Sequence, residues 1–251
     1  MNKNTKQTIT EKPAPVSPEL RLYVETQIFP RYEAIGGHGV SHIKDVIKRS
    51  LDFAERINAG EIKTTQEDFA NLPSSLTPSA KMSDKIDYDI VYVVAAYHDL
   101  GRELNNKLHH LMSAALFLTD ETMQKHFDRE KLRVIADAIM DHRASNELDP
   151  MTIYGRIVSS ADRDTDVKPM FRRAAAYFQH LYPDASDDVI VQRVCERLSK
   201  KFVGESAYAA KKMYFTNPAY DAALAEYNRM AADPTLFQTE AKKALAEIKN
   251  Q

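Results

Sequence analysis

Residues Asp87 to Arg102 read DYDIVYVVAAYHDLGR, and the way this stretch folds decides the architecture of the chain. Its centre, Ile90-Val91-Tyr92-Val93-Val94, is apolar and β-branched enough for a buried strand. Two features select a helix instead. Asp87 is placed to accept from the first unpaired amides of a helix, and Val91, Val94, Ala95 and His98 recur at i, i+3, i+4 and i+7, one face of a 3.6-residue period. The helical reading puts His98 where that face asks for a hydrophobe.

Working outward, the same periodicity recurs on both sides. Towards the N-terminus, Leu20, Val24 and Ile28, with a weaker Tyr23, predict a helix that begins at Pro18 and ends at Pro30 or Gly36-Gly37. Ile43, Val46, Ile47, Leu51 and Ala54 predict a second helix from about Gly39 to Ile57, closed by Gly60. Between it and Asp87, the segment Glu61 to Lys85 carries Pro73, Pro78 and many Ser and Thr residues. It is expected as an exposed insertion or lid with at most a helical turn around Thr65 to Leu72.

Towards the C-terminus, helices are expected at about His109 to Thr119, Arg129 to His142, Thr152 to Asp162 and beyond, Asp187 to Phe202, Pro218 to Ala232 and Leu236 to Lys249. No repeat and no strand alternation interrupts them. The expected class is all-α, divided into a disordered tail over 1–17, a core over 18–182 with the insertion at about 61–85, and helices packed on that core over 183–251. The tail has almost no apolar surface to bury.

Composition narrows the function classes. A formal net charge of -2 argues against a surface built for non-specific nucleic-acid binding and directs attention to a small-molecule partner. Cys195 is the only cysteine, so an internal disulfide and a cysteine-based zinc site are excluded by count, and a reducing cytoplasm fits. The most apolar run, Ile90 to Tyr97, is far shorter than the roughly 20 residues of a membrane helix. The N-terminus is too polar for a signal-peptide core.

Ionisable residues recur at inward positions. Leu132, Ile135 and Ile139 lead to His142; Tyr154, Val158 and Ala161 lead to Asp162; Val46 lies one turn after His42. A single buried imidazole bonded to a neighbour is ordinary. A set of buried His and Asp residues with no counter-ion would cost several kcal/mol in unsatisfied groups, and a divalent cation removes that cost. Histidine and carboxylate donors without thiolates suit Mn, Ni, Co, Fe, Mg or Zn with water positions left open. Such a cation activates water and polarises phosphate, so the chemistry points to hydrolysis of a phosphate ester.

The order His42, then His98-Asp99 within AAYHDLGR, then Asp162 within SSADRD, resembles the H…HD…D signature of the HD superfamily of metal-dependent phosphohydrolases, over about His38 to Asp166. The resemblance implies a bundle of at least five helices in which His42, His98, Asp99 and Asp162 hold one divalent metal, with Asp99 also orienting or deprotonating the attacking water. His38, four residues before His42, is expected to approach the substrate phosphate. His109 or His110, and His142, resemble the additional histidines of members that bind a second metal or contact phosphate. The spacing His-x-x-x-small favours His109 without fixing the register, and His110 stands as a candidate substrate contact. A catalytic role for His109 and His142 follows from an imidazole's titration near neutral pH.

Arg102, Lys107 and Lys168 lie near the motifs and could clamp phosphate, arginine in a bidentate manner. Arg172-Arg173 and Lys211-Lys212 read as solvated charge pairs, and His126 and His180 as surface or packing residues. The residues after His98-Asp99 lack the acidic pair of (p)ppGpp hydrolases, and no Gly-Tyr-Pro signature of cyclic-di-GMP phosphodiesterases follows. The expected activity is a phosphomonoesterase or nucleotidase on a small phosphorylated metabolite or nucleotide. The alternatives are a two-metal phosphodiesterase on a cyclic nucleotide or short oligonucleotide, and a ligand-binding module without turnover. The C-terminal helices are candidates for completing the bundle, for homo-oligomer formation or for covering the substrate, and Tyr208, Tyr214, Phe215 and Tyr220 among them read as core.

Overall fold

The computed structural model describes residues 16–35, 39–77, 86–163, 165–202 and 213–250. Among them are eleven α-helices and no strand: α1 (Pro18–Tyr23), α2 (Val40–Asn58), α3 (Tyr88–Tyr97), α4 (His109–Leu118), α5 (Glu121–His126), α6 (Arg129–Asp141), α7 (Ile153–Ala161), α8 (Val167–Leu181), α9 (Asp187–Phe202), α10 (Pro218–Ala231) and α11 (Pro234–Lys249). No described helix is long and apolar enough to cross a membrane. Residues 1–15, His38, Tyr208 and Lys211-Lys212 lie outside the described residues.

The stretch Asp87 to Arg102 is helical. Asp87 Oδ1 accepts from the amides of Asp89 and Ile90, and every residue from Ile90 to Tyr97 is buried. A helix apolar on all sides belongs in the middle of a core, and α3 packs against α2, α6 and α7. Aspartate or threonine side chains start its neighbours in the same way. Asp128 accepts from the Lys131 amide ahead of α6, and Thr152 accepts from the Gly155 amide ahead of α7. Each such cap contributes about 1 kcal/mol and sets where a helix, and therefore its far end, lies.

Two buried apolar clusters result. One gathers residues from Val16 to Ala161 together with Phe215; the other gathers residues of α8 to α11, from Val167 to Leu245. Phe215 reaches the first cluster from the segment between α9 and α10 and packs on Phe53 at 5.6 Å between ring centroids. Beside it, the Tyr214 hydroxyl donates to Asp149 Oδ1 at 2.7 Å.

Four local features depart from the periodicity reading. The first helix is broken into α1, a π-helical turn over Val24–Ile28 and a 3₁₀ turn over Phe29–Ala34, because Pro30 has no N–H to continue an α-helix. Helix α5 was not anticipated. It is capped by Asp120 and buries only Met123, too few apolar positions to show a period. The helix expected to run beyond Asp162 stops there, and α8 starts afresh with Asp166 accepting from the Lys168 amide. The described part of the insertion is anchored rather than fully exposed. Phe69 and Leu72 are buried, and Arg156 donates to Asp68 Oδ1 at 2.8 Å.

Candidate metal centre

Helix ends assemble the site. His98, His142 and Asp162 are the C-terminal caps of α3, α6 and α7, so three helix C-termini, each with partial negative charge from unpaired carbonyls, are presented by the residues that form the cluster. His42 lies in the first turn of α2 and His109 opens α4. Asp99 precedes the 3₁₀ turn Leu100–Glu103. His42, His98, Asp99, His109 and His142 are all buried, and Asp162 is the open member with 24 % of its side chain exposed.

Asp99 is the centre of this group. Its Oδ2 lies 3.6 Å from His98 Nε2 and 3.9 Å from His42 Nε2, while its Oδ1 lies 3.2 Å from His109 Nε2 and 3.7 Å from His142 Nε2. Asp162 Oδ1 sits 3.2 Å from His42 Nε2 and 3.7 Å from His98 Nε2. Two overlapping sets, His42/His98/Asp162 and His98/Asp99/His142, each bring their ligand atoms within 4.8 Å of one another.

The imidazoles are oriented by the backbone. Nδ1 of His98, His109 and His142 meets the carbonyl three residues earlier, Ala95 O at 2.7 Å, Asn106 O at 2.9 Å and Ile139 O at 2.6 Å. A carbonyl only accepts, so Nδ1 carries the proton and a neutral ring turns the Nε2 lone pair inward. Nε2 of His98 and of His109 is buried with no hydrogen-bond partner. Orphaned nitrogen lone pairs beside two carboxylates are the donor set a divalent cation takes, and the residues fit one.

Charge balance within the cluster follows from the same contacts. Burial acts to raise the Asp162 carboxyl, but the His42 and His98 rings facing it hold it well below the usual carboxylate range. Burial pulls His98 down, and the Asp99 and Asp162 charges outweigh it to leave the ring raised. His42 is lowered, first by burial and then by the Arg173 charge against the pull of Asp162. Burial, reinforced by Arg102 and His142, pushes His109 down to about 3 despite Asp99.

Gly101 explains how His109 comes to face Asp99. A Cβ at this position would lie 2.4 Å from His109 O and 2.5 Å from Ser113 N, so only glycine lets the 3₁₀ turn rest on the first turn of α4. The Gly101 amide donates to Ser113 Oγ at 2.8 Å and locks that approach.

The family model of the HD domain matches residues 39–165, half of the chain. This chain belongs to the HD-domain family. HD domains bind divalent metals, and the family is one of metal-dependent phosphohydrolases, so the buried histidines and aspartates have a shared explanation. No curated protein and no solved structure matches the chain.

In this HD-domain protein, the other residues singled out from sequence fall in different places. His110 is half-buried with its ring 5.7 Å from that of His109, and burial followed by the Arg143 charge lowers it. Arg102 is at the cluster, with Nε 2.8 Å from Asp99 Oδ2 and Nη1 donating to Asn106 Oδ1 at 2.5 Å. Its guanidinium therefore neutralises Asp99 here rather than standing open to phosphate. Lys168 is exposed and lines a crevice of about 430 Å³ between α8, α10 and α11 with Phe171 and Glu240. Lys107 is exposed, and its carbonyl accepts from Arg143. His126 pairs with Asp89 at 3.8 Å, away from the cluster.

One contact at the site was not anticipated. Arg173, read as half of a solvated pair, has Nη1 3.0 Å from His42 Nδ1. The two are 131 positions apart, and α8 belongs to the other apolar cluster, so helical periodicity carries no signal for the meeting.

Proposed function

We propose that this HD-domain protein hydrolyses a phosphate ester of a small metabolite or nucleotide, with a divalent cation held by His42, His98, Asp99 and Asp162. The observation that carries this reading is Asp99, a buried carboxylate ringed by four imidazoles within 3.9 Å. When bound, the cation neutralises phosphate charge and lowers the pKa of a water at the site. Asp99 takes the proton of the attacking water. His142, whose Nε2 lies 3.7 Å from Asp99 Oδ1, relays that proton to the leaving oxygen, so water and ester become alcohol and phosphate and Asp99 returns to its carboxylate. His109, kept neutral by burial, contributes a lone pair rather than a charge.

A second reading has support of its own. The two oxygens of Asp99 face different histidine pairs, so His109 and His142, with Asp99, would hold a second cation if one were bound. A two-cation centre favours a phosphodiester, because both the entering and the leaving oxygen can be stabilised.

Elemental analysis of the purified protein, paired with hydrolysis of a generic phosphomonoester and a generic phosphodiester under added Mn, Ni, Co, Mg and Zn, tests both. About one metal per chain with monoester turnover is the expected result. About two with diester turnover establishes the second reading. No metal and no hydrolysis under any condition sinks both and leaves a ligand-binding module.

A further inference from the structure

Asp99 is aimed by the backbone that carries it, and the chain leaves α3 at this point. His98 caps the helix, and Asp99 leads into the 3₁₀ turn Leu100–Glu103 with φ of -107° and ψ of 0°. A helix C-terminus leaves carbonyls unpaired, and buried ones need donors from elsewhere. Side chains serve two of them here. Ala95 O meets Nδ1 of His98 at 2.7 Å, and Ala96 O accepts from the hydroxyl of Tyr32 at 2.8 Å.

Tyr32 comes from the 3₁₀ turn Phe29–Ala34, 64 positions away from Ala96 in the chain. Its side chain is fully buried, and the backbone amide of Asp99 faces the same hydroxyl oxygen. One hydroxyl therefore spans the backbone from Ala96 to Asp99, across His98. Burial, then the Asp99 charge, pushes this phenol well above the usual tyrosine range, so it keeps the proton it donates. The neighbouring Arg31 also joins the two 3₁₀ turns, through Glu103 at 3.4 Å, but that pair is solvent-exposed and contributes little. A buried carbonyl stripped of its donor costs more than the bond it loses. Tyr32 precedes residues 39–165, the stretch that matches the HD domain, so this brace is supplied from ahead of the matched stretch.

We infer that Tyr32 is a positioning residue for the metal centre: its hydroxyl pins the end of α3 and so fixes how Asp99 presents its two oxygens to the four imidazoles. This rests on the metal-centre reading and adds to it a residue that acts through the backbone. Ligands must be held to within about 0.5 Å to serve a site, and a side chain at the first residue beyond a helix has no helical hydrogen bond of its own to hold it there.

Tyr32→Phe removes the hydroxyl and keeps the ring. Tyr154→Phe is its counterpart at the other end of the same helix, since the Tyr154 hydroxyl is also buried and accepts from the Asp87 amide at 3.2 Å. Both variants should lower the midpoint of urea unfolding. Titrated with Mn²⁺, folded Y32F should bind the ion on the order of tenfold more weakly than wild type, the equivalent of one buried hydrogen bond. Y154F and Arg31→Ala should bind it as wild type does.

Unchanged Mn²⁺ affinity in Y32F overturns the inference. So does an equal weakening in Y154F, which would mark a general loosening of α3, or in R31A, which would assign the effect to the docking of the whole turn. A measurement on wild type needs no variant to fold: the Asp99 amide should exchange its hydrogen as slowly as the amides inside α3, and exchange as fast as an exposed loop amide overturns the inference. If wild type binds neither Mn²⁺ nor any other divalent ion, the metal-centre reading falls, and the inference with it.

Discussion

The two apolar clusters of this chain differ in what they bury. Among the described residues, every buried His and Asp, and every buried Ser and Thr, lies at or before Arg163, whereas the members of the α8 to α11 cluster are hydrophobic side chains. The first cluster gives up apolar contacts to enclose polar groups whose desolvation must be offset. The second spends its buried surface on packing alone. The contrast teaches that chemistry and mechanical stability are separated along the sequence, and that Arg173 is the point where they meet.

The largest effect that would break this comparison lies at Asp99. Asp99→Ala should lower turnover about a thousandfold or more, matching the several kcal/mol that a catalytic cation contributes, and should abolish most metal retention with helical content unchanged. Steady-state assays, elemental analysis and circular dichroism check it; undiminished turnover would refute the assignment.

Next is a probe of the second cluster. Phe237 is buried edge-on against Phe171 and Tyr227, at 5.0 and 5.4 Å between ring centroids. Phe237→Ala should cost about 3–5 kcal/mol in urea unfolding while leaving metal bound per folded chain as in wild type. Loss of metal at full folding would show that the two regions are not separable.

Gly101→Ala should act in the reverse sense. Its Cβ would press on the backbone of His109 and Ser113, costing about 1–3 kcal/mol, and it should weaken cation binding more than Phe237→Ala does, since it moves His109 away from Asp99. Mn²⁺ titration of the two variants side by side decides the ranking.

The smallest expected effect is a pH dependence in metal-free protein. His109 is held at about 3 in the fold against about 6.5 when unfolded. As pH falls, the unfolded chain takes up the proton first, so the stability His109 contributes above about 6.5 is lost progressively towards about 3. His109→Gln should flatten this part of the stability curve, measured by urea unfolding from pH 7 to pH 5. An unaltered slope would show that burial of the neutral ring is not what the cluster sustains.

Much of this was readable from local pattern. An Asp cap and an i, i+3, i+4, i+7 face suffice to make α3 a helix, because both are set within a few residues. His98, His142 and Asp162 could be read as inward because each extends an apolar face, and their order resembles a known signature. The break at Pro30 was visible as a stop, though not as the π and 3₁₀ turns that absorb it. Helix α5 left no periodic trace, since a single buried Met123 sustains it. The orientation of Arg102 towards Asp99 was hidden as well: spacing places a guanidinium near the motif but does not say which anion it takes.

The sequence by itself determined the all-α class, the helix starts, the polar interruptions of apolar faces and the family those interruptions resemble, since each depends on residues within a few turns of one another. Only the tertiary structure decided that Asp99 presents one oxygen to His42 and His98 and the other to His109 and His142, that His109 rather than His110 faces it, and that Arg173 reaches His42 from another cluster. These depend on where helix ends meet in space, which is set by close packing between elements far apart in the chain and leaves no mark on local periodicity.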